Sequence, residues 1–240
     1  MAAELAEDLI AAPVASLEVR WITPGPLGMA MREWFARFPA GTATREDAYL
    51  LQPRLHGLSV KLRDGSTLDV KAYLRSPGVL GLPGCGRLES WRKWSFPYQP
   101  SWDGDAPLPG WIRVRKRRHA CWFPLATSHG LAPVPWLAPR AGCMVELTEV
   151  HVHDQAWWSV GFEATGSGGL LRLALQRAAD LVFAKPLPAG VILSLGNSRS
   201  YAQWLGQRAN LDAVDTAHPE QDLPDVLHAI TSSSLHLEER

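Results

Sequence analysis

The chain has 240 residues and a mass of 26.4 kDa, and 46% of its residues are hydrophobic, which is enough to bury the core of one large domain. Lys and Arg number 24, as do Asp and Glu, so the overall balance excludes both a uniformly basic nucleic-acid binder and a disordered acidic chain. The balance hides an asymmetry, because residues 54–118 hold 13 Lys or Arg and only 5 Asp or Glu. The middle of the chain is therefore a cationic block.

Cysteine usage and the termini indicate the compartment. Cys85, Cys121 and Cys143 give neither a disulfide framework nor the paired spacing of a zinc site, which favours a reducing cytoplasm. The acidic first residues lack the basic start of a signal peptide, and no apolar run approaches the ~20 residues of a membrane span. We expect a cytoplasmic protein without a membrane contact, with one domain over 1–211 and an acidic, partly ordered tail over 212–240.

Hydrophobic periodicity predicts strands through most of the chain and helices mainly near its end. Alternation with period 2 predicts strands, and apolar residues at three- and four-residue intervals predict helices. The predicted helices are 1–10, 29–38, 169–183 and 198–207, the last capped by Asn197 or Ser198, and the predicted strands are 16–22, 58–63, 68–75, 87–96, 113–119, 145–148 and 158–163.

The clearest local signal is a hairpin around the dipeptide Asp64-Gly65. This dipeptide is typical of a two-residue turn between antiparallel strands. The two flanking runs are chemically sorted, so that one face is aliphatic and the other carries the charged residues Lys61, Arg63 and Lys71. The hairpin therefore has one apolar and one cationic face.

Later strands repeat this sorting with charges of both signs. Arg113, Arg115 and Arg117 alternate with other residues and predict a third cationic strand. Glu146 and Glu163 alternate with apolar residues on two further strands and bring carboxylates instead. We expect these charged residues to share one side of a sheet.

Two interpretations of the charged face stay open from the pattern. The first is an ordinary sheet whose polar face meets water. The second is a closed barrel with a polar interior, in which unpaired Lys and Arg would cost several kcal/mol each and would need a polyanionic ligand or water. Phosphate chains suit such an interior because Arg binds phosphate oxygens through two parallel hydrogen bonds and Lys acts as a point charge.

The order of these elements resembles the CYTH family, the triphosphate tunnel metalloenzymes. The family includes inorganic and thiamine triphosphatases, class IV adenylate cyclases and RNA triphosphatases of fungi and viruses. The resemblance spans residues 16–205 and rests on short matches in a fixed order. They are 17–22, 49–51, 58–63, 68–71, 114–117, 145–147, 161–163 and 198–201.

The resemblance implies an α+β protein built on a closed antiparallel β-barrel, a tunnel, with flanking helices. It also implies which residues face the tunnel. Phosphate-binding positions of the family match Arg20, Lys61, Arg63, Lys71, Arg113, Arg115 and Arg117, and metal-binding carboxylates match Glu18, Glu146 and Glu163. The metal would be Mg²⁺ or Mn²⁺, which prefer oxygen ligands. Ser16 and Thr165 stand where the family carries two further carboxylates.

The function implied by the resemblance is binding of a triphosphate or polyphosphate with Mg²⁺, followed by metal-assisted hydrolysis. Because two carboxylates are replaced, the alternative is a descendant of the same fold that binds a phosphorylated ligand or a protein partner without catalysis. A nucleic-acid partner is disfavoured, since no aromatic recognition motif accompanies the basic strand. His151 and His153 share a face of a strand, but without a third ligand we interpret them as a solvent-facing pair.

Overall fold

The structure, a computed structural model, describes residues 12–51, 57–81, 83–98, 110–125, 134–135 and 141–214. Antiparallel strands form most of it. In chain order the strands and helices are β1 Val14–Pro24, α1 Met29–Phe35, β2 Gly41–Leu50, β3 Leu58–Arg63, β4 Thr67–Arg75, β5 Val79–Leu80, β6 Gly86–Arg87, β7 Glu89–Pro97, β8 Trp111–Pro124, β9 Val134–Pro135, β10 Gly142–Val152, β11 Gln155–Thr165, α2 Leu171–Phe183 and α3 Tyr201–Val214.

Eight strands close into a barrel. Around the ring the order is β1, β7, β4, β3, β2, β8, β10, β11 and back to β1, with every pairing antiparallel. The β8–β10 ladder completes the ring and runs from Gly142 opposite Pro124 to Val152 opposite Val114. Closure leaves each strand with one face toward the lumen and one face outward. The predicted α+β fold, a closed antiparallel barrel with flanking helices, is confirmed.

The β3–β4 hairpin forms at Asp64-Gly65 as predicted, but three residues, 64–66, and not two separate the paired Arg63 and Thr67. Both turn residues have left-handed backbone, with φ of 47° at Asp64 and 67° at Gly65, which matches the twist of the flanking strands. The turn fixes the register with Arg63 opposite Thr67, and Lys61 opposite Asp69. The hairpin therefore turns its charged face toward the lumen.

The outer face of the barrel is covered on one side by α1 and α2. Residues of α2 at three- and four-residue spacing are buried, including Leu171, Leu175 and Val182, against outward-facing side chains of β10 and β11 such as Val145 and Phe162. Burying an aliphatic side chain of this size contributes about 1.5–3 kcal/mol. Since outward side chains on these strands belong to the core, the alternate side chains are left for the lumen.

Helix α3 closes one end of the barrel. Trp204 and Leu205 are buried in a second apolar cluster, separate from the core under α2. Its other buried members come from inward-facing strand positions. They are Ile22, Tyr49, Ile112, Val114, Val150 and Val152. The lumen is therefore blocked by apolar packing at the end where α3 lies.

Several elements differ from the predictions, among them the short strands β5 and β9, which were not predicted. Strand β2 was not predicted, because Thr42–Asp47 carries polar residues on both faces. Helix α1 ends at Phe35 and not at 38. Helix α3 begins at Tyr201, where the Ser200 hydroxyl accepts a hydrogen bond from the backbone N–H of Gln203.

Two of the predicted segments lie outside the described residues, namely the helix over 1–10 and the acidic tail from residue 215 onward. The division into a domain and a tail stays a prediction. No helix in the described part of the chain has the length and apolar character that crossing a membrane requires.

Candidate functional site

The barrel lumen brings together charged side chains from all eight strands. Among the described residues, the inward cations are Arg20, Arg45, Lys61, Arg63, Lys71, Lys93, Lys116 and Arg118, and the inward carboxylates are Glu18, Asp47, Asp69, Glu89, Glu146 and Glu163. Side-chain exposure falls from 27% at Arg63 and 25% at Lys93 to 1% at Lys116 and 0% at Asp47. The lumen therefore has an open mouth near Arg63 and Lys93 and a buried floor near α3.

One half of the lumen, formed by β2, β3, β4, β7 and β8, has a surplus of positive charge. Five cations surround two carboxylates there, and we call this group the cationic cluster. Its members are Arg45, Lys61, Arg63, Lys93, Lys116, Asp47 and Asp69. Asp47 lies 2.7 Å from Lys116 Nζ and 3.4 Å from Lys61 Nζ, and Asp69 lies 2.9 Å from Arg63.

Two guanidinium groups of this cluster have unused donors. The Nε atoms of Arg45 and Arg63 are buried and have no hydrogen-bond partner within the described structure. An unpaired buried donor costs about 1–3 kcal/mol, so an acceptor that enters the lumen gains by meeting it. Each of these guanidinium groups also pairs with a carboxylate through Nη2, Arg45 with Asp47 and Arg63 with Asp69, so it is the Nε donors that are left for an anion.

Lys116 and Asp47 form the buried floor of the cluster. The Lys116 ammonium also donates to the Tyr49 hydroxyl at 2.6 Å and lies 3.9 Å from the centre of the Tyr201 ring. Burial lowers the pKa of Lys116 well below its usual value. Burial acts in the opposite sense on Asp47, but Lys116, Lys61 and Arg45 outweigh it and hold the pKa of that carboxyl well below its usual range. Asp47 is therefore an ionised carboxylate without any exposed surface.

The other half of the lumen holds four carboxylates and three cations, which we call the carboxylate cluster. Its members are Glu18, Glu89, Glu146, Glu163, Arg20, Lys71 and Arg118. Lys71 Nζ donates to Glu18 at 2.6 Å and lies 3.6 Å from Glu163, which faces Glu18 directly across β1 and β11. Its ammonium thus bridges two neighbouring carboxylates.

Glu146 is held by two guanidinium groups. Arg20 lies 2.6 Å from Glu146 Oε1, and Arg118 donates to Oε2 through Nε at 2.8 Å and through Nη2. Arg20 fits into this site because the facing residue is Gly161, where an added Cβ would come within 2.7 Å of its guanidinium. Burial would raise the pKa of Glu146, but Arg118 and Arg20 outweigh it and lower that pKa well below its usual value. Both oxygens of this carboxylate are therefore occupied.

The carboxylates of the lumen do not fit a divalent-metal site. Ser16 and Lys71 both donate to Glu18 Oε1, Lys71 also neutralises Glu163, and both Glu146 oxygens bind arginines. Within the described residues, no three His, Cys, Asp or Glu side chains are grouped so that they could hold a metal ion. Mg²⁺ requires near-octahedral oxygen ligands. At the predicted Mg²⁺ or Mn²⁺ site, both oxygens of Glu146 and one oxygen each of Glu18 and Glu163 thus lie within 3.6 Å of a protein cation.

The structure places seven of the predicted site residues in the lumen. They are Arg20, Lys61, Arg63, Lys71, Glu18, Glu146 and Glu163. Their proposed roles in phosphate and metal binding stay predictions, because no ligand is present.

The prediction that Arg113, Arg115 and Arg117 face a lumen is wrong. All three are exposed on the outer face of β8, and the lumen receives Lys116 and Arg118 instead. Charges occupy both faces of this strand, so the local pattern does not mark the inward one. The pairing of β8 with β2 and β10 decides it, because Val114 and Ala120 continue the inward row and are buried.

Sequence reasoning also missed several lumen residues. Arg45 and Asp47 lie on the unpredicted strand β2, and Asp69 was noted only as a polar residue of the hairpin. A signal existed for β8, since Ile112, Val114, Ala120 and Trp122 form an apolar row in phase with Lys116 and Arg118. An apolar row interrupted by two charges is typical of a strand that passes from a packed barrel end into a polar lumen.

Glu89 is a further missed residue of the carboxylate cluster. It lies opposite Glu18 across β1 and β7, is 4% exposed and accepts a hydrogen bond from Trp91 Nε1, while its Oε1 atom has no partner in the described structure. Burial raises the pKa of this carboxyl, and Glu18 raises it further. Glu89 is therefore ionised only at an energetic cost.

We expect Glu89→Gln to stabilise the protein at neutral pH. The pKa of Glu89 is higher in the folded protein than in the unfolded chain. Its contribution to the free energy of unfolding is therefore complete below the unfolded pKa and is lost as pH rises through the folded pKa. Gln cannot ionise and so avoids this loss of stability, which amounts to about 1.4 kcal/mol for each pH unit by which the folded pKa exceeds the unfolded pKa. Urea unfolding should show the gain at pH 7 and none near pH 4. A variant that is less stable at both pH values would contradict the assigned protonation cost.

Acid should destabilise the barrel through Asp47 and Glu146. Because their folded-state pKa values are depressed, their stabilisation is present above an unfolded pKa of about 4 and is lost as pH falls below it. Each carboxylate contributes on the order of 1–3 kcal/mol. Denaturant midpoints measured at pH 7, 5 and 3 should therefore stay similar between pH 7 and 5 and fall at pH 3. Equal midpoints at all three values would show that these carboxylates do not support folding.

Comparison with known proteins finds similar proteins only among solved structures. No family model and no curated protein matches the chain. The PH1819 protein of Pyrococcus horikoshii is 14% identical, with a TM-score of 0.40, and the match covers 80% of this chain and 99% of that one. The RNA triphosphatase domain of the mimivirus mRNA capping enzyme is 9% identical, with a TM-score of 0.38, over 76% of this chain and 93% of that one.

The RNA triphosphatase Pct1 of S. pombe is 10% identical, with a TM-score of 0.34, and the match covers 88% of this chain and 85% of that one. With TM-scores of 0.34 to 0.40, these likenesses add no argument about this chain. The fold rests on the strand pairing, and the function must be argued from the lumen itself.

Proposed function

We propose that the lumen binds the terminal phosphates of a small linear polyanion, a triphosphate or a polyphosphate. The observation that carries the proposal is the cationic cluster, in which five cations of the described chain surround two carboxylates. The surplus persists even without Lys116, whose pKa is lowered by burial. A surplus of positive charge in a poorly hydrated site is stabilised by an anion that enters it.

The size and shape of the lumen support a linear ligand end. About 80 Å³ is open to the centres of water-sized molecules, several times the 10–15 Å³ that one water needs. Because α3 closes the far end, a linear phosphate ligand enters the lumen through the mouth at Arg63 and Lys93. Only the terminal phosphates of that ligand reach the floor near Lys116 and Asp47. Phosphate oxygens there meet Lys61, whose pKa is lowered by burial to about 8, and the free donor of Arg45.

The N-terminus of α3 adds a favourable dipole. Ser200, Tyr201 and Ala202 line the lumen at the first turn of a helix that continues to Val214. The positive end of the helix dipole stabilises a nearby anion, typically by 0.3–1 kcal/mol. This contribution is small beside the cationic cluster but has the same sign.

The proposal is binding and not metal-dependent hydrolysis. The carboxylates that would hold Mg²⁺ or Mn²⁺ are neutralised by Arg20, Lys71 and Arg118, so no step is assigned to a metal. This corresponds to the non-catalytic alternative that the sequence left open. The resemblance to the CYTH family supports the same class of ligand.

Calorimetry with inorganic triphosphate tests the proposal. We expect one ligand per chain, with a similar affinity in EDTA and in Mg²⁺, and no phosphate release in either. Free phosphate should bind more weakly because it meets fewer donors. Absence of triphosphate binding would overturn the proposal, and Mg²⁺-dependent phosphate release would replace it with hydrolysis.

A further inference from the structure

A second cavity lies outside the barrel, between α1 with its following turn and the outer face of β8 and β10. It has a volume of about 310 Å³. For comparison, an engineered apolar cavity of about 150 Å³ binds benzene. Phe35, Phe38 and Leu147 form its apolar floor, Ala40 lies at its side, and Arg32 and His119 stand at its rim. The cavity is therefore large enough for a one-ring molecule and shares no lining residue with the lumen.

The polar groups at the rim are positioned by their neighbours. Arg32 donates two parallel hydrogen bonds of 2.6 Å to the oxygens of Glu149, which fixes its guanidinium. The Nδ1 atom of His119 lies 3.0 Å from the Thr42 hydroxyl, which fixes the plane of the imidazole ring. Neither side chain is free to turn away from the cavity.

The remaining ring nitrogen of His119 is unsatisfied. Its Nε2 atom is buried and has no hydrogen-bond partner in the described structure, and the nearest carboxylate oxygen, on Glu149, is 3.9 Å away. Buried polar atoms in folded proteins are nearly always hydrogen-bonded, to the protein, to water or to a ligand. A ligand with one acceptor group and an apolar body would satisfy this nitrogen and fill the space beside it.

The surrounding charge selects an anionic acceptor. Arg32 and Arg117 lie near the imidazole with one carboxylate, Glu149, which leaves one positive charge in excess among the described neighbours. Burial lowers the pKa of His119, and Arg117 lowers it further, so the ring is neutral at pH 7. Either the Thr42 hydroxyl or Nδ1 can donate across their 3.0 Å contact; with the hydroxyl as donor, the proton of the neutral ring lies on Nε2, which then donates to a ligand.

We propose that this cavity is a binding site for a small carboxylate with an aromatic or branched aliphatic body. The body packs against Phe35, Phe38 and Leu147, and the carboxylate accepts a hydrogen bond from His119 Nε2. The site is distinct from the lumen, and the two bind ligands of different chemistry. The proposal does not depend on the function proposed for the lumen.

Ligand-observed NMR with benzoate tests the site on the full chain. We expect saturable binding in the millimolar range, which is usual for a ligand of this size, and no saturable binding of benzylamine. Inorganic triphosphate should not displace benzoate. Failure of benzoate to bind, equal binding of benzylamine, or displacement by triphosphate would each overturn the proposal.

Two variants locate the bound benzoate. Ala40→Phe fills the cavity and should abolish binding, and His119→Phe removes the donor and should weaken binding about tenfold. Circular dichroism and the thermal midpoint show whether each variant is folded. If Ala40→Phe does not fold, Ala36→Leu, at an exposed position of the same rim, replaces it as the cavity-filling variant. Benzoate affinity that is unchanged in the folded variants would refute the assigned site.

Discussion

Asp47→Asn should lower the free energy of unfolding by about 3–5 kcal/mol, the usual cost of removing one partner from a buried ion pair. Asp47 has no exposed surface and is the nearest carboxylate to Lys116, at 2.7 Å, while Lys61 and Arg45 lie within 3.4 Å. Its removal leaves the buried amino groups of Lys116 and Lys61 without their nearest carboxylate. Urea unfolding at pH 7 measures the loss.

The pH dependence of that loss distinguishes charge from packing. Asp47 also attracts Lys61, whose pKa is lowered by burial to about 8, and without Asp47 that pKa falls further. Near pH 7 the folded variant then binds fewer protons than the folded wild type, so its stability rises more steeply with pH and the difference should shrink from pH 7 to pH 9. A difference that is constant with pH would indicate lost packing.

Two further variants complete this test. Asp154→Asn, in the exposed turn between β10 and β11, is a matched control and should change stability by no more than about 0.5 kcal/mol. The double variant Asp47→Leu with Lys116→Met replaces the pair by apolar side chains and should recover much of the loss, because two buried charges are removed together. Additive losses in the double variant would contradict a direct interaction between Asp47 and Lys116.

Replacing Arg45 and Arg63 together by Met should weaken triphosphate binding by about 10- to 100-fold or more. Each guanidinium carries a buried Nε donor without a partner, and a hydrogen bond to a charged group contributes about 1.5–3 kcal/mol. Met retains the apolar length of the side chain, so the comparison isolates the charge and the donors. Calorimetry at fixed ionic strength measures the change.

The matched control for this pair is Arg115→Met with Arg117→Met. These residues lie on the outer face of β8, so the control removes the same formal charge from the protein without touching the lumen. Triphosphate affinity should then change by less than about threefold, since charges on a solvated surface are screened by salt. An equal loss in both double variants would mean that the ligand binds by net charge and not in the lumen.

The two halves of the lumen differ in how far carboxylates balance their cations. In the carboxylate cluster, Lys71 lies between Glu18 and Glu163, and two arginines hold Glu146, so the cations of that half are already paired. In the cationic cluster, the cations outnumber the carboxylates of the described residues. We therefore expect the anion to bind in the half formed by β2, β3, β4, β7 and β8. The family resemblance alone had implied phosphate-binding residues in both halves.

Local sequence patterns were sufficient to predict the hairpin and to separate the polar from the apolar face on four strands. Asp64-Gly65 allows the left-handed turn that sets the register of β3 and β4, and period-2 alternation sorts Lys61 and Lys71 from their aliphatic neighbours. The same alternation on β10 and β11 placed Glu146 and Glu163 on the polar face of their strands, and the structure shows that this face lines the lumen. These features depend on neighbours within a few residues, which is why the sequence alone determined them.

Only the tertiary structure decided which face of β8 enters the lumen and how the lumen cations pair with the carboxylates. From Arg113 to Arg118 both faces of that strand are charged, so its inward face follows from its ladders with β2 and β10. The partners of Asp47 and Glu146 come from strands far apart in the chain, and α3 closes the barrel end from near the C-terminal side of the sequence. Charge pairing and closure depend on distances between distant segments, and no local pattern encodes those distances.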